Sequence, residues 1–202
     1  MGAIAEAHWL VVGLGNPGPE YVRTRHNVGF AVVDRLAGAT RVRFEPARYR
    51  TRRAWSDLSG VPILLVKPQA FMNLSGPPVA AWLEKLGLPA ARLVVIHDDL
   101  DLPLGRVRVS ARAGPGGHRG VASIQAALGT QGFPRVRVGI GRPGEGQEAS
   151  DRVLEAFAPE ERPVVEVVID RAAEAVRILI TDGLASAMTR YNVRVPAGGA
   201  LA

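Results

Sequence analysis

His26 lies in the polar stretch Arg23-Thr24-Arg25-His26-Asn27. A neutral imidazole accepts a proton from water near pH 7, which suits a general base. A lone histidine is more often a surface or capping group, so a partner decides the matter. Ile96-His97-Asp98-Asp99-Leu100-Asp101 offers one, because it continues the apolar run Leu93–Ile96. A carboxylate beside an imidazole fixes its tautomer and favours its protonation during a reaction. The three carboxylates could instead hold Mg²⁺, but Leu100 and Leu102 alternate with Asp99 and Asp101 and no further ligand set follows. Two amides extend the constellation. Asn16 follows the apolar run Trp9–Leu14, and Asn73 sits in Ala70-Phe71-Met72-Asn73-Leu74-Ser75-Gly76 after Ile63–Val66. Asn73 could orient a carbonyl or donate to an oxyanion, and Asn16 would stand at the carboxyl end of a central strand, where open α/β sheets place ligand contacts. The plainer alternatives are a turn at Asn16-Pro17-Gly18 and core filling by Phe71 and Met72.

Other chemistries are poorly served. Gly13-Leu14-Gly15-Asn16-Pro17-Gly18 formally satisfies G-x-G-x-x-G, yet Pro17 and Pro19 interrupt the helix that a dinucleotide site needs at once. The chain has no cysteine, which excludes disulfides, thiolate metal sites and a cysteine nucleophile. Ser75 and Ser110 could serve as nucleophiles only if placed beside His26, and no G-x-S-x-G elbow exists. Gly114-Pro115-Gly116-Gly117-His118-Arg119-Gly120 opens a helical segment and would present backbone amides to an anion.

Charge points to a polyanion. Lys and Arg number 25 against 19 Asp and Glu, a net +6. Leu102 to Gly144 carries seven arginines, among them Arg106, Arg108, Arg112 and Arg119, and no acid. A second cluster comprises Arg41, Arg43, Arg48, Arg50, Arg52 and Arg53. Clustered guanidinium groups attract phosphates and displace their counterions. A base-composition preference would explain arginine over lysine, but not an acid-free stretch of this length.

The elements that must position these residues alternate. Trp9–Leu14, Val61–Val66, Leu93–Ile96 and Val136–Ile140 read as buried strands, with Ser59-Gly60 closing a hairpin from Thr51–Leu58. Val28–Ala37, a segment from a Ser75 cap to Leu86, Val121–Leu128, Val164–Leu179 and Leu184–Tyr191 read as helices. The expectation is an α/β fold: a single three-layer α/β/α domain over residues 1–202, around a mixed, mostly parallel sheet. The tail after about residue 195 is expected to be flexible. With 202 residues and 47% apolar composition the chain can build a core. No run approaches the ~20 apolar residues of a membrane helix, and Met1–His8 lacks signal-peptide character, so a cytoplasmic protein is the default reading.

Taken in order, GLGNPGPEY, TRHNVGF, KPQAFMNLSG, HDDLDLPLG, GPGGHRG and VGIGRP resemble bacterial-type peptidyl-tRNA hydrolases from Trp9 to about Tyr191. The resemblance implies cleavage of the ester between a peptide and the terminal ribose of tRNA, by a monomer that needs no metal or cofactor. It further implies that His26 is the catalytic base and Asp98 its supporting carboxylate. Asn16 would help to select peptidyl over aminoacyl substrates, and Asn73 would position substrate. Tyr21, Phe71 and Met72 would form the cleft wall, with His118 as a neighbour. Arg119 departs from the pattern, since the family commonly has asparagine there. A guanidinium only donates, so it could contact a phosphate or the ester carbonyl but cannot accept a bond from water. In the competing arrangement Arg119 points to solvent and His118 or Asn27 supplies the missing function.

Overall fold

The computed structural model describes residues 7–193, so the expectation for the tail lies outside the described residues. The strands are β1 (Trp9–Gly13), β2 (Glu45–Ala47), β3 (Thr51–Leu58), β4 (Val61–Pro68), β5 (Leu93–Asp99), β6 (Val107–Ser110) and β7 (Arg135–Gly139). They form one sheet in the order β2-β3-β4-β1-β5-β7-β6. The inner strands β4, β1, β5 and β7 run parallel, whereas β3 with β2 on one side and β6 on the other pair antiparallel. Central strands such as Trp9–Gly13 are apolar at successive positions because helices cover both faces.

One face carries Val11, Ile63, Val94 and Val136 under α1 (Val28–Ala39), α5 (Arg162–Thr181) and α6 (Leu184–Tyr191). The other carries Leu10, Val12, Leu64 and Val95 under α2 (Gly76–Leu86) and α3 (Arg119–Leu128). This is the expected three-layer α/β/α arrangement. The short β2 and a one-and-a-half-turn helix, α4 (Ala149–Leu154), escape the sequence pattern because neither has an apolar period of its own. Ser75 does not cap α2: its hydroxyl donates to the Met72 carbonyl at 2.9 Å instead.

The glycine-rich end of β1 serves packing. A Cβ on Gly13 would stand 2.2 Å from the Gly29 carbonyl oxygen, and one on Gly29 would stand 2.5 Å from the carbonyl oxygens of Ile96 and Leu14. These glycines let α1 begin directly against the ends of β1 and β5. The carboxyl ends of three parallel strands and the start of α1 therefore converge on one rim, where open α/β sheets place their ligands.

Candidate active site

A cavity of about 680 Å³ opens at that rim, with Asn16, His26, Met72, Asn73, Asp98 and His118 among its lining residues. His26 arrives on a 3-10 turn, Arg25–Asn27, just before α1; Asp98 arrives at the end of β5; His118 stands at the start of α3. Residues separated by 72 and 20 positions thus share one floor.

Both imidazoles meet the same carboxylate oxygen. His26 Nδ1 lies 2.8 Å and His118 Nε2 2.9 Å from Asp98 Oδ1. The remaining nitrogen of His118 settles its tautomer. Nδ1 accepts the backbone N–H of Gly120 at 3.1 Å and of Val121 at 3.3 Å, as a helix cap does. It therefore carries no proton, and His118 is a neutral ring that donates from Nε2 to Asp98. His26 donates to the same oxygen from Nδ1, and its Nε2 has no partner among the described residues and opens on the cavity. Burial works against ionising Asp98, but the two imidazoles, His118 and then His26, outweigh it and hold the carboxyl far below its usual range. The sequence reading of the glycine-rich loop as an anion site needs correction here, because His118 itself occupies the first amides of α3.

His97 lies beneath. Its Nδ1 donates to the Asp98 carbonyl at 2.6 Å, its ring is 4.7 Å from that of His118, and its Nε2 is buried without a partner among the described residues. Burial pushes its pKa well below the ordinary histidine value. His26, Asp98 and His118 stand close enough together to hold a cation. The His118 tautomer instead turns Nε2 into a donor, which builds a hydrogen-bonded chain. Asp99 and Asp101 turn away to ion pairs with Arg137 and Arg142, so the three carboxylates do not form one ligand set.

Asn16 is fixed on three sides. Its N–H donates to Asn27 Oδ1 at 2.8 Å, its carbonyl accepts from Asn27 Nδ2 at 3.0 Å, and its Oδ1 accepts from the Met72 N–H at 2.8 Å. The side-chain NH₂ is what Asn16 has left to offer the cavity. Asn27 spends its amide on this lock, and His118 spends both nitrogens on Asp98 and α3. Neither can supply the function suggested for them in place of Arg119. Asn73 and Phe71 are exposed at the cavity, and Met72 is buried in its wall. Arg119 is exposed and lines the cavity as well.

Other expected residues fall elsewhere. Tyr21 is half-buried in its own 3-10 turn and does not line the cavity. Arg106 donates to the Val193 carbonyl at 2.6 Å, while Arg108 and Arg112 are exposed away from the cavity lining. Ser75 and Ser110 do not line it either. The positioning role of three further residues carries no sequence signal. Arg25 is buried, pairs with Glu161 at 2.5 Å and stacks on Phe157 at 4.6 Å; the Arg25 N–H bonds the Glu155 carbonyl at 2.9 Å. That clamp seats the His26 turn against the segment after α4, which forms the far wall with Val153 and Leu154. Arg135, also buried, donates to the carbonyls of Ala113 and Gly114 and pins the loop that leads to His118. Asn27 is the third, recognisable only once its partner strand is known.

The family model for peptidyl-tRNA hydrolase matches residues 10–198. A peptidyl-tRNA hydrolase of Chloroflexus aurantiacus is 46% identical over 185 residues, covering 91% of this chain and 98% of its own. That of Desulforudis audaxviator is 49% identical over 183 residues, with 91% and 92% covered. The crystal structure of peptidyl-tRNA hydrolase from Acinetobacter baumannii superposes with a TM-score of 0.87 at 31% identity, covering 96% of this chain and 100% of that one. A uridine phosphorylase from Vibrio fischeri reaches a TM-score of 0.51 at 9% identity, a likeness of fold alone. Matched along nearly its whole length in both sequence and structure, the chain belongs to the peptidyl-tRNA hydrolase family.

Proposed function

We propose that this chain hydrolyses the ester between a peptide and the terminal ribose of tRNA, with His26 as general base on a water molecule. The observation that carries the mechanism is the free Nε2 of His26, opposite an Nδ1–H held by Asp98 at 2.8 Å. Water bonded to Nε2 attacks the ester carbonyl and gives its proton to His26. The buried Asp98 carboxylate stabilises the imidazolium that forms. The NH₂ of Asn16, with that of Asn73, meets the oxyanion. Collapse of the tetrahedral intermediate breaks the bond to the ribose oxygen, which takes the proton back from His26. The products are a peptide carboxylate and free tRNA. Direct attack by water is favoured because neither Ser75 nor Ser110 lines the cavity, and the serine that does, Ser150, is exposed on α4 at the far wall and makes no hydrogen bond to His26.

The apolar wall of Phe71, Met72, Val153 and Leu154 suits a peptide. Arg119 suits a phosphate near the acceptor end, and His118 enters through Asp98 rather than by touching substrate. Tyr21 would contact substrate only outside the cavity. Phosphate contacts beyond it fall to Arg108 and Arg112, with Arg106 contributing less because it already holds Val193. Action as a monomer, which the resemblance implies, is part of the same reading. No described helix is long and apolar enough to cross a membrane, and a tRNA substrate supports a cytoplasmic location. Incubation with a peptidyl-tRNA should release free tRNA without any nicotinamide cofactor. Tight binding of the tRNA with the ester left intact would mean an RNA-binding scaffold instead.

A further inference from the structure

The second arginine cluster, unused by the scheme above, is divided by the fold. Arg53 pairs with Glu45 at 3.1 Å and Arg52 donates to the Phe44 carbonyl at 3.0 Å. Arg41 and Arg43 lie between the far end of α1 and the start of β2, at the end of the sheet opposite the cavity. Arg48 and Arg50 are different. They flank Tyr49 in the turn between β2 and β3, and β3 begins at Thr51 opposite Pro68, the last residue of β4. This turn therefore stands on the same rim as Asn73, Asn16 and Asp98.

The turn is held in place from both sides. Gln69 N–H donates to the Arg50 carbonyl at 2.7 Å, tying it to the segment that continues into Phe71 and Asn73. Thr51 Oγ1 donates to the Arg48 carbonyl at 2.8 Å and accepts from Trp82 Nε1 at 3.0 Å, and Tyr49 packs edge-on against Trp82 at 5.4 Å. Tyr49 and Arg50 both adopt left-handed backbone conformations, φ 61° and 52°, which non-glycine residues rarely take. Arg48 and Arg50 are exposed, and none of the ion pairs among the described residues involves either. A rigid support thus carries two free guanidinium groups beside the cavity.

We propose that the Arg48–Arg50 turn binds phosphates of the single-stranded 3′ end of the tRNA as that strand leaves the cavity past Asn73. This inference rests on the hydrolase reading. From β3 to β5 is three strand spacings, roughly 14 Å. That distance spans about four stacked nucleotides, fewer if the strand is extended. The single-stranded end is therefore the part of the substrate in reach, rather than the duplex behind it.

The test compares the Arg48→Ala/Arg50→Ala double variant with the wild type on peptidyl-tRNA, on a peptidyl ester of a short 3′-terminal oligonucleotide, and on a peptidyl ester of adenosine. We expect KM to rise roughly two- to tenfold on the first two, as for exposed ion pairs, with kcat unchanged and no change on the adenosine ester. The log–log salt slope of KM should fall by about 0.7 per lost contact on the oligonucleotide. Arg48→Lys/Arg50→Lys should keep most of the wild-type KM, and Arg41→Ala/Arg43→Ala should leave it unaltered. Unchanged KM on all three esters, or a rise on peptidyl-tRNA alone, overturns the proposal. A wild-type protein inactive on every ester would overturn the hydrolase reading itself.

Discussion

The floor of the cavity and its basic rim are built on opposite principles. On the floor, Asp98 is buried and His26 and His118 nearly so, and almost every polar atom has an assigned partner inside the protein. Around the rim, Arg48, Arg50 and Arg119 are exposed, as are Arg108 and Arg112 beyond the cavity lining, and none of them has a carboxylate partner among the described residues. The chemical groups are thus held in place by desolvated bonds, which are stronger in a low-dielectric site. The exposed guanidinium groups stay free to exchange water and counterions for an anion. The contrast extends to single residues: Arg135 and Arg25 are buried and position loops, while their exposed counterparts have no structural duty. Changes on the floor should therefore act on turnover or stability, and changes on the rim on KM and its salt dependence.

The largest effect expected is that of His26→Ala. Loss of the base should lower kcat about 10²–10⁴-fold, with tRNA binding nearly intact by direct titration. Near wild-type turnover would break the contrast at its centre. Asp98→Asn should cost less. Both imidazoles bond to one oxygen, which the amide oxygen can replace, so mainly the charge is lost. A charge-assisted bond exceeds a neutral one by about 1–2 kcal/mol, or roughly 5–30-fold in kcat. A loss as large as that of His26→Ala would give Asp98 a more direct role.

Acidification sharpens the comparison through stability. The folded state keeps His97 neutral, whereas the unfolded chain takes up a proton below about pH 6.5. The unfolded state then binds more protons, so the His97 contribution is complete above that pH and declines below it. The decline should approach about 1.4 kcal/mol per pH unit. Asp98, whose pKa is lowered, loses its contribution only below the ordinary carboxylate range, so the window from pH 6.5 to 5 belongs to His97. Urea denaturation at pH 7 and pH 5.5 should show a smaller drop for His97→Gln than for the wild type; equal drops would contradict the assignment. The smallest effect is expected outside the cavity. Arg108→Ala/Arg112→Ala should raise KM modestly and reduce its log–log salt slope by roughly 0.7–0.9 per contact, leaving kcat alone. An unaltered slope would move the duplex to another surface.

Much of this was legible in the sequence, for identifiable reasons. Continuous apolar runs mark the parallel strands, and their carboxyl ends mark where His26, Asp98, Asn16 and Asn73 must meet. What could not be read is which atoms those residues have left to spend. His118 reads as a loop histidine until its Nδ1 is seen capping α3, since capping depends on where the helix starts in space. Asn27 reads as part of the helix entry until its amide is seen holding Asn16. Arg106 resembles Arg108 in the acid-free stretch, yet one is committed to the Val193 carbonyl 87 residues away. Gly13 and Gly15 match a nucleotide fingerprint because close packing of α1 and close approach of a phosphate select the same residue. A Cβ on Gly15 would strike the Phe30 ring at 2.8 Å.

The central claim is that one buried carboxylate holds two histidines in opposite tautomers, so that only His26 presents a basic nitrogen to the cavity. Long-range ¹H–¹⁵N NMR of the imidazole side chains at neutral pH reads tautomers directly, with His26→Gln and His118→Gln variants assigning the signals. The structure predicts an Nδ1–H, Nε2-free ring for His26 and an Nε2–H, Nδ1-free ring for His118. A His26 protonated at Nε2 alone, or a doubly protonated His118 at that pH, would contradict it.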